Sequence, residues 1–169
     1  MLEVGAGSGF NCGLLKYNQN LLENNTNIIE IICSEPILSS MPQYHYKRQF
    51  FDPILTISDL EALSNFCNKD EEKNIKPGKV LFVSRALDFF TETSRNFITV
   101  YGGLIIIMLG ETLEGCCATP DFYDLLIEHN WKTKQINNGI IEWHFAGKHD
   151  VFEIHYHPDL EFITHHNFI

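Results

Sequence analysis

Apolar and polar positions follow two periods along this chain, one typical of helices and one typical of strands. Residues 10–22 place an apolar residue at every third or fourth position, which predicts an amphipathic helix. The residues that share its apolar face are Phe10, Leu14, Tyr17 and Leu21. Residues 28–33 are a nearly continuous β-branched run, which predicts a strand covered on both faces. Ser58-Asp59-Leu60-Glu61 has the spacing of a capping box and predicts the start of a second helix.

The middle of the chain continues this alternation of helices and strands. Residues 79–83 and 104–109 predict two further strands. A helix between them is predicted to stop at Gly102-Gly103, a usual signal for a helix C-terminus. The apolar positions that mark this helix are Phe90, Phe97 and Tyr101. Thr119-Pro120-Asp121 predicts another helix start, because it supplies a capping hydroxyl, a first-turn proline and an acid.

After Trp131 the period becomes that of strands alone. Residues 132–136, 140–145 and 151–156 predict three strands, with Gly147 in the turn between the last two. Strands that alternate with helices and end in a hairpin predict an α/β fold. We expect a three-layer sandwich, with a mostly parallel Rossmann-like sheet ending in an antiparallel hairpin, in one domain over residues 1–169. Any ligand is then expected at the carboxyl ends of the parallel strands.

Composition narrows the classes of partner. The chain has 22 acidic and 12 basic residues and a formal net charge of −10, which disfavours a nucleic acid as partner. Glu3 and the glycines after it interrupt any apolar run at the N-terminus, so no secretory signal is predicted. The most apolar stretch, residues 104–109, is too short to span a bilayer. Five cysteines without a CxxC spacing favour a reducing compartment, and we expect a cytoplasmic protein.

Three glycines at alternate positions follow the first strand directly. The stretch reads Glu3-Val4-Gly5-Ala6-Gly7-Ser8-Gly9, which is GxGxG preceded by an acid. A phosphate-binding P-loop is excluded, because no Lys-Ser or Lys-Thr follows the glycines. A dinucleotide fingerprint would need its third glycine at the position of Phe10. An NAD(P)-dependent oxidoreductase therefore stays a less favoured alternative.

The glycine turn resembles motif I, (D/E)xGxGxG, of the class I S-adenosylmethionine-dependent methyltransferases. The resemblance implies an S-adenosylmethionine-dependent methyltransferase whose glycine backbone approaches the methionine and ribose portions of the cofactor. The acid is implied to order the loop and the amino-acid end of the cofactor. The turn residues assigned to cofactor binding in this way are Glu3, Gly5, Ala6, Gly7, Ser8 and Gly9.

Three later positions complete the cofactor site that the resemblance implies. Glu35, with Pro36 after it, stands where the family's second strand ends in an acid that accepts hydrogen bonds from both ribose hydroxyls. A carboxylate suits a vicinal diol, although Glu35 could instead cap the next segment at the surface. Asp52 is either a residue near the adenine or a turn residue before Pro53. Ser84 falls where the family's fourth strand meets the reacting methyl group.

The chemistry of the cofactor explains why no catalytic residue is assigned. The sulfonium is already a good leaving group, and a base is needed only for a weakly nucleophilic hydroxyl or a protonated amine. The acceptor, a small molecule or a protein, is therefore not identified. Ser84-Arg85-Ala86-Leu87 lacks the [DN]PP[YF] signature of amino-methylating nucleic-acid enzymes, which further disfavours an adenine-N6 enzyme.

The chain departs from the family at its N-terminus, where the helix that usually precedes the first strand is missing. We expect the pocket to be open on that side and cofactor binding by the isolated chain to be weak. A second copy, another protein or an upstream segment would supply the wall. The structural sign would be an exposed apolar patch beside Leu2, Phe10 and the first helix. The alternative is a catalytically inactive methyltransferase-like subunit with a binding or regulatory role.

A pair of histidines offers a second chemistry. His155 and His157 lie two positions apart in a predicted strand, a spacing that can present two imidazoles to a metal. No CxxC accompanies them, so no metal site is predicted. We expect both to face solvent, on a hairpin whose opposite face buries Phe152, Ile154 and Tyr156.

Overall fold

The computed structural model describes residues 1–4, 10–21, 30–35, 53–68, 79–84, 98, 100–110, 120–136 and 151–159. These residues form three helices and a seven-stranded sheet. The helices are α1 (Phe10–Leu21), α2 (Asp59–Asn68) and α3 (Pro120–Glu128). The strands are β1 (Leu2–Val4), β2 (Ile32–Ser34), β3 (Ile54–Leu55), β4 (Val80–Ser84), β5 (Ile105–Gly110), β6 (Lys132–Gln135) and β7 (Val151–Tyr156).

The sheet has the strand order β3-β2-β1-β4-β5-β7-β6. The first five of these strands pair in parallel, while β7 is antiparallel to both β5 and β6. This is the mostly parallel sheet with a terminal antiparallel pair that the resemblance to the class I methyltransferases implies, so the predicted fold class is confirmed. The strand predicted at residues 140–145 lies outside the described residues.

Helices cover both faces of the sheet, as predicted. On one face α2 and α3 pack on the alternate apolar residues of β1, β4 and β5 and form the main core. On the other face Cys12 of α1 packs against Cys33 of β2. The fully buried side chains of the main core are Leu2, Val4, Leu63, Val83, Met108 and Phe122. Within the described residues, every helix is too short or too polar to cross a membrane.

Local signals fix the ends of two helices. The backbone N–H of Glu61 donates to Ser58 Oγ at 3.2 Å, which confirms the predicted cap of α2. Helix α3 begins at Pro120, as predicted. Its last residue is Glu128, and Asn130 follows with a φ of 59°. This left-handed residue allows the N–H of Trp131 to donate to Leu126 O at 2.8 Å, the geometry of a Schellman motif.

The apolar face predicted for α1 is exposed rather than buried. Phe10 is 53% exposed, Leu14 49% and Tyr17 61%, whereas Cys12 is completely buried. The face that packs on the sheet is therefore the one that carries Cys12. The expected apolar patch is present on α1 itself, but Leu2 is fully buried and takes no part in it. A partner that covers the patch remains a prediction.

The two faces of β7 are the reverse of those predicted. Glu153 and His155 are buried, while Phe152, Ile154 and Tyr156 are half-buried on the opposite face. The cause is the register with β5, which pairs His155 with Ile106 and Glu153 with Met108 on the face that α3 covers. Alternation alone could not decide the facing, because β7 lies inside the sheet between β5 and β6.

Buried His155 is held by neighbouring side chains. Its Nδ1 lies 2.9 Å from Thr133 Oγ1, and its Nε2 lies 3.5 Å from Glu153 Oε2. The ring of Phe122 meets the imidazole edge to face at 5.8 Å. Burial lowers the pKa of His155 to about 4, so the imidazole is neutral at pH 7. His157 instead packs against the ring of Trp131. Among the described residues, neither His155 nor His157 belongs to a cluster of three or more potential metal ligands.

Candidate functional site

The predicted site lies where the carboxyl ends of β1, β2 and β4 meet. Val4 pairs with Ser34 on one side and with Val83 on the other, so these three strands end side by side. Glu35 follows β2 directly, and Ser84 is the last residue of β4. In parallel sheets of this kind, ligands bind at this edge. The turn that links β1 to α1 also starts here, immediately after Val4.

Glu3 is buried and links β1 to the first turn of α1 through a hydrogen bond. Its side chain is completely buried, and its Oε1 accepts a hydrogen bond of 2.9 Å from Asn11 Nδ2. Burial raises the pKa of the Glu3 carboxyl, and hydrogen bonds with Cys12 and Asn11 only partly offset this. The carboxyl also lies at a helix N-terminus, where the helix dipole favours negative charge. Glu3 thus joins β1 to the first turn of α1. Its role in ordering the glycine turn and the cofactor remains a prediction.

Glu35 lies at the carboxyl end of β2, and a hydrogen bond holds its backbone. Its N–H donates to Leu55 O at 2.8 Å, which ties the end of β2 to β3. The residue as a whole is only 8% exposed. Its charge contributes to the raised pKa of Glu3, so the two acids share one region of the sheet edge. Its contact with a ribose remains a prediction.

The structure describes only some of the residues that were predicted to bind the cofactor. Glu3, Glu35 and the backbone of Ser84 lie at one edge of the sheet. The predicted residues outside the described part of the chain are Gly5, Ala6, Gly7, Ser8, Gly9, Pro36 and Asp52. The placement of Glu3, Glu35 and Ser84 agrees with the order of strands that the sequence predicts.

Two cysteines beside Glu3 were not predicted as part of any site. One ligand atom each from Glu3, Cys12 and Cys33 can be chosen so that all three lie within 4.8 Å of one another, and all three residues are buried. Their spacing in the sequence carries no metal signature. They become neighbours because Glu3 pairs with Cys33 across β1 and β2, and α1 then lays Cys12 over the pair. The feature that brings these residues together is therefore the register of β1 and β2, which local sequence patterns do not give.

A small cavity lies at the opposite edge of the sheet, near the amino end of β5. Its volume is about 150 Å³. The residues that line it are Ile98, Tyr101, Gly102, Gly103, Leu104, His129, Trp131 and His157. Because ligands of such sheets bind at the carboxyl ends of the strands, this cavity is separate from the predicted site.

Comparison with known proteins gives likeness at the level of the fold. No protein-family model and no curated protein matches the sequence. The methyltransferase domain of bacterial CtHen1-C is similar in structure, with a TM-score of 0.48 and 10% identity over 92% of this chain and 88% of that one. The human methyltransferase 10 domain containing protein gives a TM-score of 0.46 and 10% identity over 92% and 70% of the two chains.

A third similar structure belongs to the Pnkp1/Rnl/Hen1 RNA repair complex. It gives a TM-score of 0.44 and 13% identity, and it covers 92% of this chain and 36% of that one. Likeness at these identities concerns the fold alone. The site is assigned from the sheet and the residues of this chain.

Proposed function

We propose that this protein binds S-adenosylmethionine at the carboxyl ends of β1, β2 and β4 and transfers its methyl group to an acceptor. The observation that carries the proposal is the hydrogen bond from Asn11 to the buried Glu3 carboxyl. It joins β1 to α1 on either side of the GxGxG turn, with Glu35 buried at the end of the next strand. An acid, a glycine turn and a second acid in this order suit a nucleoside with free ribose hydroxyls.

The residues present fit the cofactor in distinct ways. The glycine turn would accept the methionine and ribose portions against its backbone, because glycines leave no side chain in the way. Glu35 would hold the ribose, since its carboxylate offers two acceptors for two hydroxyls. When bound, the cofactor supplies an activated methyl group on a sulfonium. The task of the chain is then to orient the acceptor and exclude water.

The acceptor is proposed to be a small molecule or a protein. With a net charge of −10, the chain is poorly suited to bind a nucleic acid without another protein. Methyl transfer can be followed with tritium-labelled S-adenosylmethionine and fractionated small-molecule and protein pools. If S-adenosylhomocysteine binds and no pool accepts the label, the inactive binding subunit becomes the better description.

S-adenosylhomocysteine should stabilise the protein against heat, and NAD should not. A ligand present at 100 times its Kd adds about 2.7 kcal/mol to the free energy of unfolding, which a thermal melt detects easily. Gly7→Val should remove the shift, because it places a branched side chain where the cofactor would meet the backbone. A shift with NAD and none with S-adenosylhomocysteine would overturn the proposal.

Glu35→Gln should weaken binding of S-adenosylhomocysteine and leave the fold intact. The exchange keeps the size of the side chain and removes a charged acceptor, which is worth about 1.5–3 kcal/mol, or roughly a 10- to 150-fold rise in Kd. Isothermal titration calorimetry gives the Kd. Glu61→Gln on α2, also an acid-to-amide exchange but at an exposed position, is the matched control and should bind like the wild type. Equal Kd values for all three proteins would mean that Glu35 does not hold the ribose.

A further inference from the structure

Three potential metal ligands meet at the junction of β1, β2 and α1. Glu3 and Cys33 are direct partners in the parallel register, so their side chains leave the sheet on the same face. Cys12, in the first turn of α1, packs on that face against Cys33. All three residues are buried, with no exposed surface on any of them. Apolar side chains surround the two cysteines, namely Met1, Ile31 and Ile54.

The Glu3 carboxyl is only partly satisfied in this pocket. Asn11 donates to Oε1, and Cys12 also interacts with the carboxyl, but no donor among the described residues reaches Oε2 in hydrogen-bonding geometry. A buried polar atom without a partner is costly, by about 1–3 kcal/mol, so such an atom calls for an explanation. Here the atom belongs to a side chain that already has two sulfur atoms beside it.

The spacing of the three ligand atoms suits a tetrahedral ion. Neighbouring ligands of zinc lie about 3.6–3.8 Å apart, given Zn–S bonds of about 2.3 Å and Zn–O bonds of about 2.0–2.2 Å. The atoms of Glu3, Cys12 and Cys33 already lie within 4.8 Å of one another, so each needs to move by no more than about 1 Å to reach this spacing. Thiolates select soft or borderline metals, and with one carboxylate the set favours zinc over calcium or magnesium.

We propose that Glu3, Cys12 and Cys33 bind one zinc ion, which fastens β1, β2 and α1 together. The two thiols release their protons to water as the Zn–S bonds form, and the carboxyl binds as the carboxylate. No electron is transferred. The resulting complex of Zn²⁺ with three anionic ligands carries one net negative charge, which the N-terminal end of α1 stabilises. A three-ligand set is completed in zinc proteins by a water or one further donor.

This inference does not depend on the proposed methyltransferase activity. Zinc would act as a structural ion that holds the two ends of the turn, whatever that turn binds. Binding of S-adenosylhomocysteine and binding of zinc are measured separately, so either proposal can fail while the other stands.

The test measures zinc in the full chain, expressed in zinc-supplemented medium and passed through a desalting column. We expect about one zinc per chain by mass spectrometry of the metal content. Cys67→Ser/Cys116→Ser/Cys117→Ser keeps only Cys12 and Cys33 and should hold the same amount. Cys12→Ser/Cys33→Ser keeps the other three cysteines and all eight histidines, and should lose at least nine-tenths of the metal.

Cobalt provides a second reading that does not depend on any variant. Wild-type protein refolded with Co²⁺ should show thiolate-to-cobalt charge-transfer absorption, and Zn²⁺ should abolish it by displacement. Glu3→Gln should weaken the binding of both ions. The proposal is overturned if the wild type holds no zinc, if the cobalt complex lacks the thiolate band, or if the metal stays in Cys12→Ser/Cys33→Ser. Should that variant fail to fold, the stoichiometry and cobalt spectrum of the triple variant decide.

Discussion

Gly103→Ala should remove about 3–5 kcal/mol from the free energy of unfolding, while Gly102→Ala should change it by less than about 0.5 kcal/mol. A Cβ at residue 103 would overlap the hydroxyl and ring of Tyr101, with ring carbon Cε2 at 2.7 Å. A Cβ at residue 102 would meet no atom within 4 Å. Two adjacent glycines are thus expected to differ by at least about 2.5 kcal/mol in the cost of one added methyl group.

Tyr101 cannot move aside without losing buried hydrogen bonds. Its hydroxyl accepts from the N–H of Leu81 at 3.1 Å, and it lies 2.9 Å from Lys79 O and 2.5 Å from Ile105 O, one of which takes its proton. The hydroxyl therefore joins β4 to the start of β5, and its displacement leaves buried backbone groups unpaired. Urea melts of the three proteins test this. Similar losses for the two variants would show that Tyr101 does not limit the space at residue 103.

The stability of the protein should fall as the pH is lowered from 6.5 towards 4, and His155 should account for about 3 kcal/mol of that loss. Burial lowers the pKa of His155 to about 4, whereas the imidazole in the unfolded chain keeps a pKa near 6.5. Between these values the unfolded chain binds more protons than the folded one. Acid therefore favours unfolding across this window, and above pH 6.5 the contribution of His155 disappears.

Glu153 acts in the opposite direction. Burial raises its pKa, so the folded protein takes up this proton at a higher pH than the unfolded chain does. The same shift leaves Glu153 less able to hold an imidazolium 3.5 Å away. The contribution of His155 is therefore read from the difference between the wild type and His155→Gln in urea melts at several pH values. The variant should lose less stability on acidification, whereas exposed His129→Gln should follow the wild type. Parallel curves for the wild type and His155→Gln would contradict the prediction.

Elements fixed by short-range patterns were predictable from the sequence. The cap at Ser58 depends on residues three positions apart. The apolar run at residues 104–109 predicts a strand whichever strands pair with it, and the structure has a strand at Ile105–Gly110. The position of Glu35 also followed from order alone, because it comes directly after the second strand. In parallel sheets, ligands bind at the carboxyl ends of the strands, and this is where the second strand ends.

Features that depend on pairing between distant segments were not predictable. Tyr101 has the spacing of a helix face, yet its hydroxyl is directed into the ends of two strands. The facing of His155 is decided by the register with β5, and alternation fits either facing. The contact of Glu3 with Cys12 and Cys33 depends on β1 pairing with β2 while α1 crosses above. In each case the information lies in a long-range register rather than in a local pattern.

The central place of β1 has a consequence for how the chain can fold during synthesis. Its three residues lie between β2 and β4, and Leu2 pairs with both Ile32 and Leu81. Among the described strands, the β2–β3 pair is therefore joined to the four strands on the other side of β1 only through this short strand. Because β4 leaves the ribosome long after β1, the strand β1 must wait with one edge unpaired. Closing so long a loop slows folding, which makes this stage of synthesis the one at which the nascent chain is most exposed to aggregation.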